Sequence, residues 1–267
     1  MHAAPSAQPQ QGRWWGGVQC AWGVWCRLRP GEYIGPMFLQ LIQGLRQRLP
    51  SQCAVCHRWP SQPVCDDCVA EFAQPAPRCR TCALPVMGGM QQCGDCITNP
   101  PPVDQCIAAV AYAYPWSGLI AQFKFQELTG RVGSFATLMR SAPWVELALE
   151  KADLLIPMPL SEQRLRERGF NQSLVLARAL AADKVAHDLL LRIRDTPPQR
   201  SLPREERLQS VQGAYAVDPI KIAALRGKRL VLLDDVMTSG ASLHAAARAL
   251  RGAGALHITA MVLARTE

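Results

Sequence analysis

Between Arg229 and Ser242 the chain reads RLVLLDDVMTSGAS, and few folds accommodate that order of residues. The apolar run Leu230–Leu233 has strand length and no polar face, the pattern of a strand covered on both sides. Two carboxylates, Asp234 and Asp235, follow at its carboxyl end. Thr238, Ser239, Gly240, Ala241 and Ser242 then lead into LHAAARALRGAG, a helical pattern. Hydroxyls and a glycine at a helix start suit a phosphate, because backbone N–H groups point outward there and the helix dipole favours an anion. Glycine adds φ > 0 and close approach. Carboxylates beside such a cradle repel the phosphate but accept hydrogen bonds from sugar hydroxyls. A ribose 5-phosphate meets both demands.

A lone Asp-Asp after a strand is ordinarily a pair of loop acids, and only the whole run lifts it above that. A nucleoside-triphosphatase reading, with the acids holding Mg²⁺, fails, since no G-x-x-x-x-G-K-[S/T] occurs in the chain. With 267 residues there is room for one α/β domain and an accessory module. A formal net charge of +8 favours anionic partners, either phosphorylated metabolites or nucleic acid. No run of about 18 apolar residues and no signal-peptide pattern occurs, so membrane insertion is not expected and a cytoplasmic location is. Eleven cysteines in that compartment are reduced thiols or metal ligands.

Eight of them form four C-x-x-C pairs: Cys53 and Cys56, Cys65 and Cys68, Cys79 and Cys82, Cys93 and Cys96. Each pair fits a tight knuckle that presents two thiolates to one side of a tetrahedral Zn²⁺. Short spacers favour two sequential sites, a double zinc ribbon over residues 51–99; an interleaved pairing is compatible with the same spacing. Eight thiolates close both sites, which makes the zinc structural. Ahead of the ribbons, residues 1–36 carry no core periodicity and read as a disordered leader, with Met37 a candidate start. Residues 37–50 read as an amphipathic helix, with Phe38, Leu41, Ile42, Leu45 and Leu49 on one face.

Prolines 100–102 mark a linker into a second domain, residues 103–267. There strands and helices alternate. CIAAVAYAY (Cys106–Tyr114) reads as a strand and WSGLIAQFKF as a helix carrying Lys124. DLLIP and Leu189–Arg194 read as strands, and LHITAMVLA (Leu256–Ala264) as the last one. That alternation predicts a doubly wound, mainly parallel sheet with its ligand site at the carboxyl ends of the strands. Arg164, Arg166 and Arg168 precede a break at Gly169; alone they are a solvated basic helix end. The Pro-punctuated segment Thr196–Tyr215, with Arg200, reads as a mobile flap.

The run through Asp234, Asp235 and Thr238–Ser242 resembles the phosphoribosyl-pyrophosphate loop of type I phosphoribosyltransferases. Combined with the cysteine pairs, the Lys124-Phe125 helix, Pro157–Leu160 (PMPL) and Arg164–Gln172 (RLRERGFNQ), it resembles the ComF family from about Leu41 to the end. Members often carry Thr where this chain has Ser239. The resemblance implies a type I phosphoribosyltransferase fold behind a double zinc ribbon. It also implies phosphoribosyl pyrophosphate as ligand, accompanied by magnesium. On that basis Asp234 and Asp235 would hold the ribose hydroxyls, and Thr238–Ser242 the 5-phosphate. Lys124, Arg164, Arg168 and Arg200 would clamp the pyrophosphate. Two alternatives follow from the same resemblance: a competence-type protein that binds single-stranded DNA with DNA-uptake partners, and a phosphoribosyl-pyrophosphate sensor without turnover.

Overall fold

Beyond Leu233 the central strand keeps a neighbour on one side only, and the fold is organised around that asymmetry. A computed structural model describes residues 51–125, 131–194 and 213–267. The expected leader, the helix at 37–50 and most of the expected flap, Arg200 included, lie outside the described residues. Two cysteine-rich repeats come first, with helices α1 (Asp66–Phe72) and α2 (Gly94–Thr98). There follow β1 (Gln105–Ala111), α3 (Trp116–Phe125), α4 (Val132–Ser141), α5 (Val145–Lys151) and β2 (Leu154–Pro157). Next are α6 (Glu162–Arg168), α7 (Gln172–Ala181), β3 (Leu190–Arg192), β4 (Tyr215–Val217) and α8 (Ile222–Leu225). The chain ends with β5 (Arg229–Met237), α9 (Ala241–Gly252) and β6 (His257–Arg265).

Four of the strands form a parallel sheet in the order β1-β6-β5-β2. The period of two in a strand sends alternate residues of β5 to opposite faces. Leu230 and Leu232 enter a core shared with Leu243, Ala246 and Leu250 of α9, whose alanines let that helix lie close to the sheet. Val231 and Leu233 enter the other core, with Phe123 of α3, Phe135 and Met139 of α4, and Leu176 and Leu180 of α7. Each fully buried Leu or Phe contributes about 1.5–3 kcal/mol, so a strand apolar on both faces is worth most at the centre of such a sheet.

Two expectations need correction. The strand does not end at the acids: β5 runs on to Met237, because β6 continues beside it as far as the Met237–Arg265 pair. Nor does Leu189–Arg194 join the parallel sheet. Its core residues, β3, pair antiparallel with β4 in a separate two-stranded ribbon. A parallel crossover needs a dozen or more residues and usually a helix. The register from Leu190–Val217 to Arg192–Tyr215 sets the antiparallel direction of the pair.

The cysteine repeats dock on different cores. From the first, Val55, Val64, Val69 and Phe72 pack against the α3–α4 side. The indole Nε1 of Trp116 donates to the Phe72 carbonyl at 2.7 Å, and Phe72 meets Tyr114 edge-on at 5.6 Å. From the second, Ala83 is fully buried in the α9-side core, and the Cys106 N–H at the sheet edge donates to the Arg80 carbonyl at 2.7 Å. Among the described residues no helix is long and apolar enough to cross a membrane.

Replacing Trp116, only 1% exposed, with Phe keeps most of its apolar bulk and deletes the bond to Phe72. Urea unfolding should register a loss of about 1 kcal/mol, with metal content unchanged. An unaltered midpoint would mean that this bond does not tie the first repeat to the domain.

Candidate functional site

At the carboxyl ends of the strands, β2 stops at the Pro157–Leu233 pair while β5 and β6 continue together. The step leaves a cleft of about 150 Å³. Asp234, Asp235, Thr238, Gly240, Ala241 and Ser242 line one wall, and Lys124, Arg164, Arg168, Arg192 and Tyr215 line the others. The structure therefore brings all but two of the sequence-predicted ligand residues together. Ser239 stands beside the cleft rather than on its wall, and Arg200 lies outside the described residues.

The acids are held differently. Asp235 shares the strand parity of Val231 and Leu233, which turns it toward α3, where Lys124 Nζ lies 3.0 Å from its carboxylate. Asp234 accepts from the Ser173 hydroxyl and from the Asp235 N–H, both at 2.9 Å. Protein encloses most of Asp234, and burial followed by the charge of Asp235 pushes its carboxyl up from the usual 3.8 to about 6. The pair is thus poised to gain when cationic charge or donor hydroxyls arrive.

The loop matches its glycine requirement closely. Gly240 caps α9 with φ +78°, and a Cβ there would sit 2.4 Å from the Met237 methyl and 3.0 Å from the His244 ring. No other residue fits without displacing both. The Ala241 N–H donates to the Ser239 hydroxyl at 3.4 Å, which closes the turn. The first N–H groups of an α-helix lack intrahelical partners, and Gly240, Ala241 and Ser242 at this helix start line the cleft.

Opposite, three arginines converge. Burial, then Arg192 and Arg168 nearby, hold the Arg164 guanidinium below its usual value, a strain that an anion would relieve. Arg192 also lies over the Tyr215 ring at 5.7 Å, and the Tyr215 hydroxyl bonds to Ser242. The sequence reading missed Arg192, Tyr215 and Ser173. Alternation of Arg192 with Leu191 and Ile193 gives no usable signal, because it assigns the two apolar residues to a core while the structure leaves both exposed and turns Arg192 to the cleft.

The stretch after α6 explains why these groups meet. Gly169 ends α6 in the left-handed conformation, φ +74°, and Phe170 packs on Phe123 at 5.7 Å. Asn171 caps α7 by accepting from the Leu174 N–H, while its amide donates to the Met158 carbonyl at 3.0 Å. Gln172, 1% exposed, accepts from Arg168 at 3.1 Å and donates to the Lys124 carbonyl at 3.4 Å. Five consecutive residues thereby fix an arginine, the lysine's backbone and, through Ser173, an acid.

The cysteines form two sequential clusters, Cys53, Cys56, Cys65 and Cys68, then Cys79, Cys82, Cys93 and Cys96, with ligand atoms in each set within 4.8 Å of one another. Neighbouring sulfurs stand 3.6–3.9 Å apart. A tetrahedron with Zn–S of about 2.3 Å has S···S edges of roughly 3.8 Å, so both sets fit zinc. The first knuckle of each cluster closes the same way, with the next residue left-handed, His57 at φ 60° and Ala83 at φ 57°, while the second pair of each lies at the start of α1 or α2. Burial alone would raise the Cys53 and Cys79 thiols. Backbone N–H groups, chiefly those of Cys56 and Cys93 respectively, outweigh it and bring both to about 6. Burial dominates at Cys68 and Cys82, which are pushed up, and at Cys96, pushed up to about 11. Each cluster therefore offers a ready thiolate, and metal binding would displace the remaining protons.

Parts of the chain are similar to known proteins. The phosphoribosyl transferase domain family matches residues 180–267, the stretch holding β5, the loop and β6. The DNA utilization protein YhgH of Salmonella typhimurium is 27% identical over 209 residues, spanning 76% of this chain and 90% of that protein. Competence protein F of Haemophilus influenzae is 29% identical over 209 residues with the same coverage. Competence protein ComFC of Bacillus subtilis is 32% identical over 148 residues, 55% of this chain and 58% of its own. Among solved structures, the glutamine phosphoribosylpyrophosphate amidotransferase of B. subtilis aligns with a TM-score of 0.30 at 17% identity. That alignment covers 50% of this chain and 25% of the other.

Two outcomes are expected. Elemental analysis of freshly reduced protein should find about two Zn²⁺ per chain, and Cys65→Ser should lose one and keep the other. Loss of both from that single change would dissolve the sequential assignment. Asp234→Asn should stabilise the ligand-free protein. Because the folded value near 6 lies above the unfolded 3.8, stability from this carboxyl is present below about pH 4 and lost as pH rises through 6. The variant's advantage should accordingly be absent near pH 4 and reach on the order of 2 kcal/mol by pH 7.5. A variant less stable than wild type at pH 7.5 would contradict it.

Proposed function

We propose that this chain, which belongs to the ComF family, binds phosphoribosyl pyrophosphate and transfers its phosphoribosyl group to an acceptor nucleophile. The observation that carries the reading is the joint wall of Asp234, Asp235 and the Gly240-centred loop, faced by Arg164, Arg168 and Arg192. Few ligands need two carboxylates, a phosphate cradle and a guanidinium cluster within one cleft. A ribose with a 5-phosphate at one end and a pyrophosphate at the other needs all three.

In this reading the N–H groups and hydroxyls of Thr238–Ser242 bind the 5-phosphate. The two carboxylates accept hydrogen bonds from the ribose 2- and 3-hydroxyls. As the bond from C1 to the pyrophosphate oxygen breaks, positive charge develops on the ring, and the nearby acids stabilise it. Arg164 and Arg168, with Lys124 once it turns from Asp235, receive the departing pyrophosphate; Arg192 joins them. Magnesium accompanying the ligand supplies charge neutralisation among its hard oxygens, the donor type it prefers. The cysteine clusters, loaded with zinc, hold the module together and take no part in the transfer.

The names of the relatives and the charge of +8 support a second, compatible reading, participation in DNA uptake or utilization with contact to single-stranded DNA. The two separate by their electrostatics. Backbone contacts to DNA release counterions and weaken steeply with salt, whereas a preformed metabolite cleft depends on magnesium instead.

Phosphoribosyl pyrophosphate with Mg²⁺ at about 100 times its Kd should add roughly 2.7 kcal/mol to stability, read as a rise in Tm. Asp234→Asn combined with Asp235→Asn should abolish the rise, while leaving any salt-labile oligonucleotide binding in place. An equal rise in wild type and double variant would sink the assignment. Binding without pyrophosphate release for any acceptor would leave a sensor in place of a transferase.

A further inference from the structure

The last residue of β6, Arg265, is 5% exposed and ties together three segments that are distant in sequence. Its Nε donates to the carbonyl of Cys82 at 2.9 Å. Its Nη1 donates to the carbonyls of Met237, at 3.2 Å, and Thr238. Cys82 is a ligand of the second cluster; Met237 and Thr238 open the phosphate loop. A guanidinium is a rigid planar fork, so its acceptors cannot move independently without giving up bonds.

Each end of this bridge is itself constrained. The Cys82 carbonyl belongs to a knuckle whose next residue, Ala83, is fully buried and left-handed at φ 57°. An alanine holds that conformation only when its surroundings impose it: Ala83 is packed in the core, its N–H donates to the Cys79 carbonyl at 2.8 Å, and closure of the cluster on a metal would add to that constraint. At the other end, the Met237 methyl fills the space beside Gly240, and the Met237 sulfur touches Cys106 Sγ at 3.6 Å. A shift of the Met237 carbonyl is therefore felt at the residue that caps α9. The first cluster meets the domain elsewhere, through Phe72 and Trp116.

We propose that Arg265 is a positioning residue that couples metal occupancy of the second cluster, and not the first, to the geometry of the phosphate loop. The consequence for ligand affinity rests on the phosphoribosyl-pyrophosphate reading; the coupling itself does not. With the second metal lost, the knuckle relaxes, the fork loses an anchor, and the amides of Thr238–Ser242 drift from the arrangement that holds a phosphate. By linkage, a ligand on the loop must tighten the second cluster's grip on zinc by the same factor that zinc tightens the ligand's.

The test has two arms on the full-length chain. Without ligand, hydrogen exchange at the Thr238–Ser242 amides is followed in wild type, Cys53→Ser, Cys79→Ser and Arg265→Gln. Metal content is measured in parallel, and the Leu230–Leu233 amides report an intact sheet. Cys79→Ser, one metal short, and Arg265→Gln, with both metals, should each speed loop exchange about tenfold relative to the sheet, and Cys53→Ser should not. Wild-type loop exchange in either of the first two, or equal acceleration in Cys53→Ser, overturns the coupling. The second arm measures zinc affinity by chelator competition, with and without magnesium phosphoribosyl pyrophosphate. The ligand should tighten the second-cluster zinc of Cys53→Ser about tenfold and leave the first-cluster zinc of Cys79→Ser within about twofold. Equal tightening of both, or of neither while the ligand binds, also overturns it. If Arg265→Gln opens the sheet amides as well, Arg265→Lys takes its place in the first arm. If wild type binds no phosphoribosyl pyrophosphate, the transferase reading falls and the first arm decides the coupling alone.

Discussion

Past Leu233, β5 is supported on one flank by β6 and on the other by nothing in the sheet, because β2 has ended at Pro157. Every feature of the candidate site occupies that step. The acids stand on the unsupported flank, and the loop and α9 grow from its end. The segment after β2 must cross the vacated space, which brings α6 and its arginines over the acids. Had β2 been four residues longer, it would have paired with Asp234–Met237 and closed the cleft. The short strand is thus as much a part of the site as any side chain, and its proline is a residue that cannot donate to a further ladder bond.

The step is electrostatically costly on both sides. Asp234 and Asp235 repel each other in a setting that already disfavours charge, and the three arginines across the cleft do the same. Lys124 relieves part of the acid repulsion by lying on Asp235. On the proposed reading, a ligand carrying hydroxyls toward the acids and phosphates toward the arginines would relieve the remaining strain. A site built from like charges is selective because so few molecules satisfy both walls at once. The same repulsion is expected to cost the ligand-free protein some stability.

How much of this was legible follows from the range of each interaction. The C-x-x-C knuckles are local, and spacing was enough to find them; which pairs join was decided only by where the chain folds back. Leu230–Leu233 announced a central strand because burial on both faces demands apolar residues on both. The strand's true end was hidden, since pairing with β6, not composition, carries it through two aspartates. Arg164 and Arg168 were indistinguishable from a solvated face without the family resemblance. Arg192 was out of reach because its strand was assigned to the wrong sheet, and an antiparallel partner 23 residues away sets the face it shows. Ser173 and Gln172 act through the cap of α7, a geometry that residue types permit but do not specify.

The two cysteine repeats, alike in sequence and knuckle, come to rest on opposite cores of one sheet. Between them runs β1, the outermost strand on that side, one of whose amides is already claimed by Arg80. An exposed strand edge is a template for the strand of another molecule, and proteins cover or charge such edges to avoid it. The repeats straddle this edge like a clasp, each gripping one face. With zinc in both clusters the clasp would guard against self-association as well as hold shape, because opening it bares a seven-residue strand rich in alanine, valine and isoleucine to any neighbouring edge.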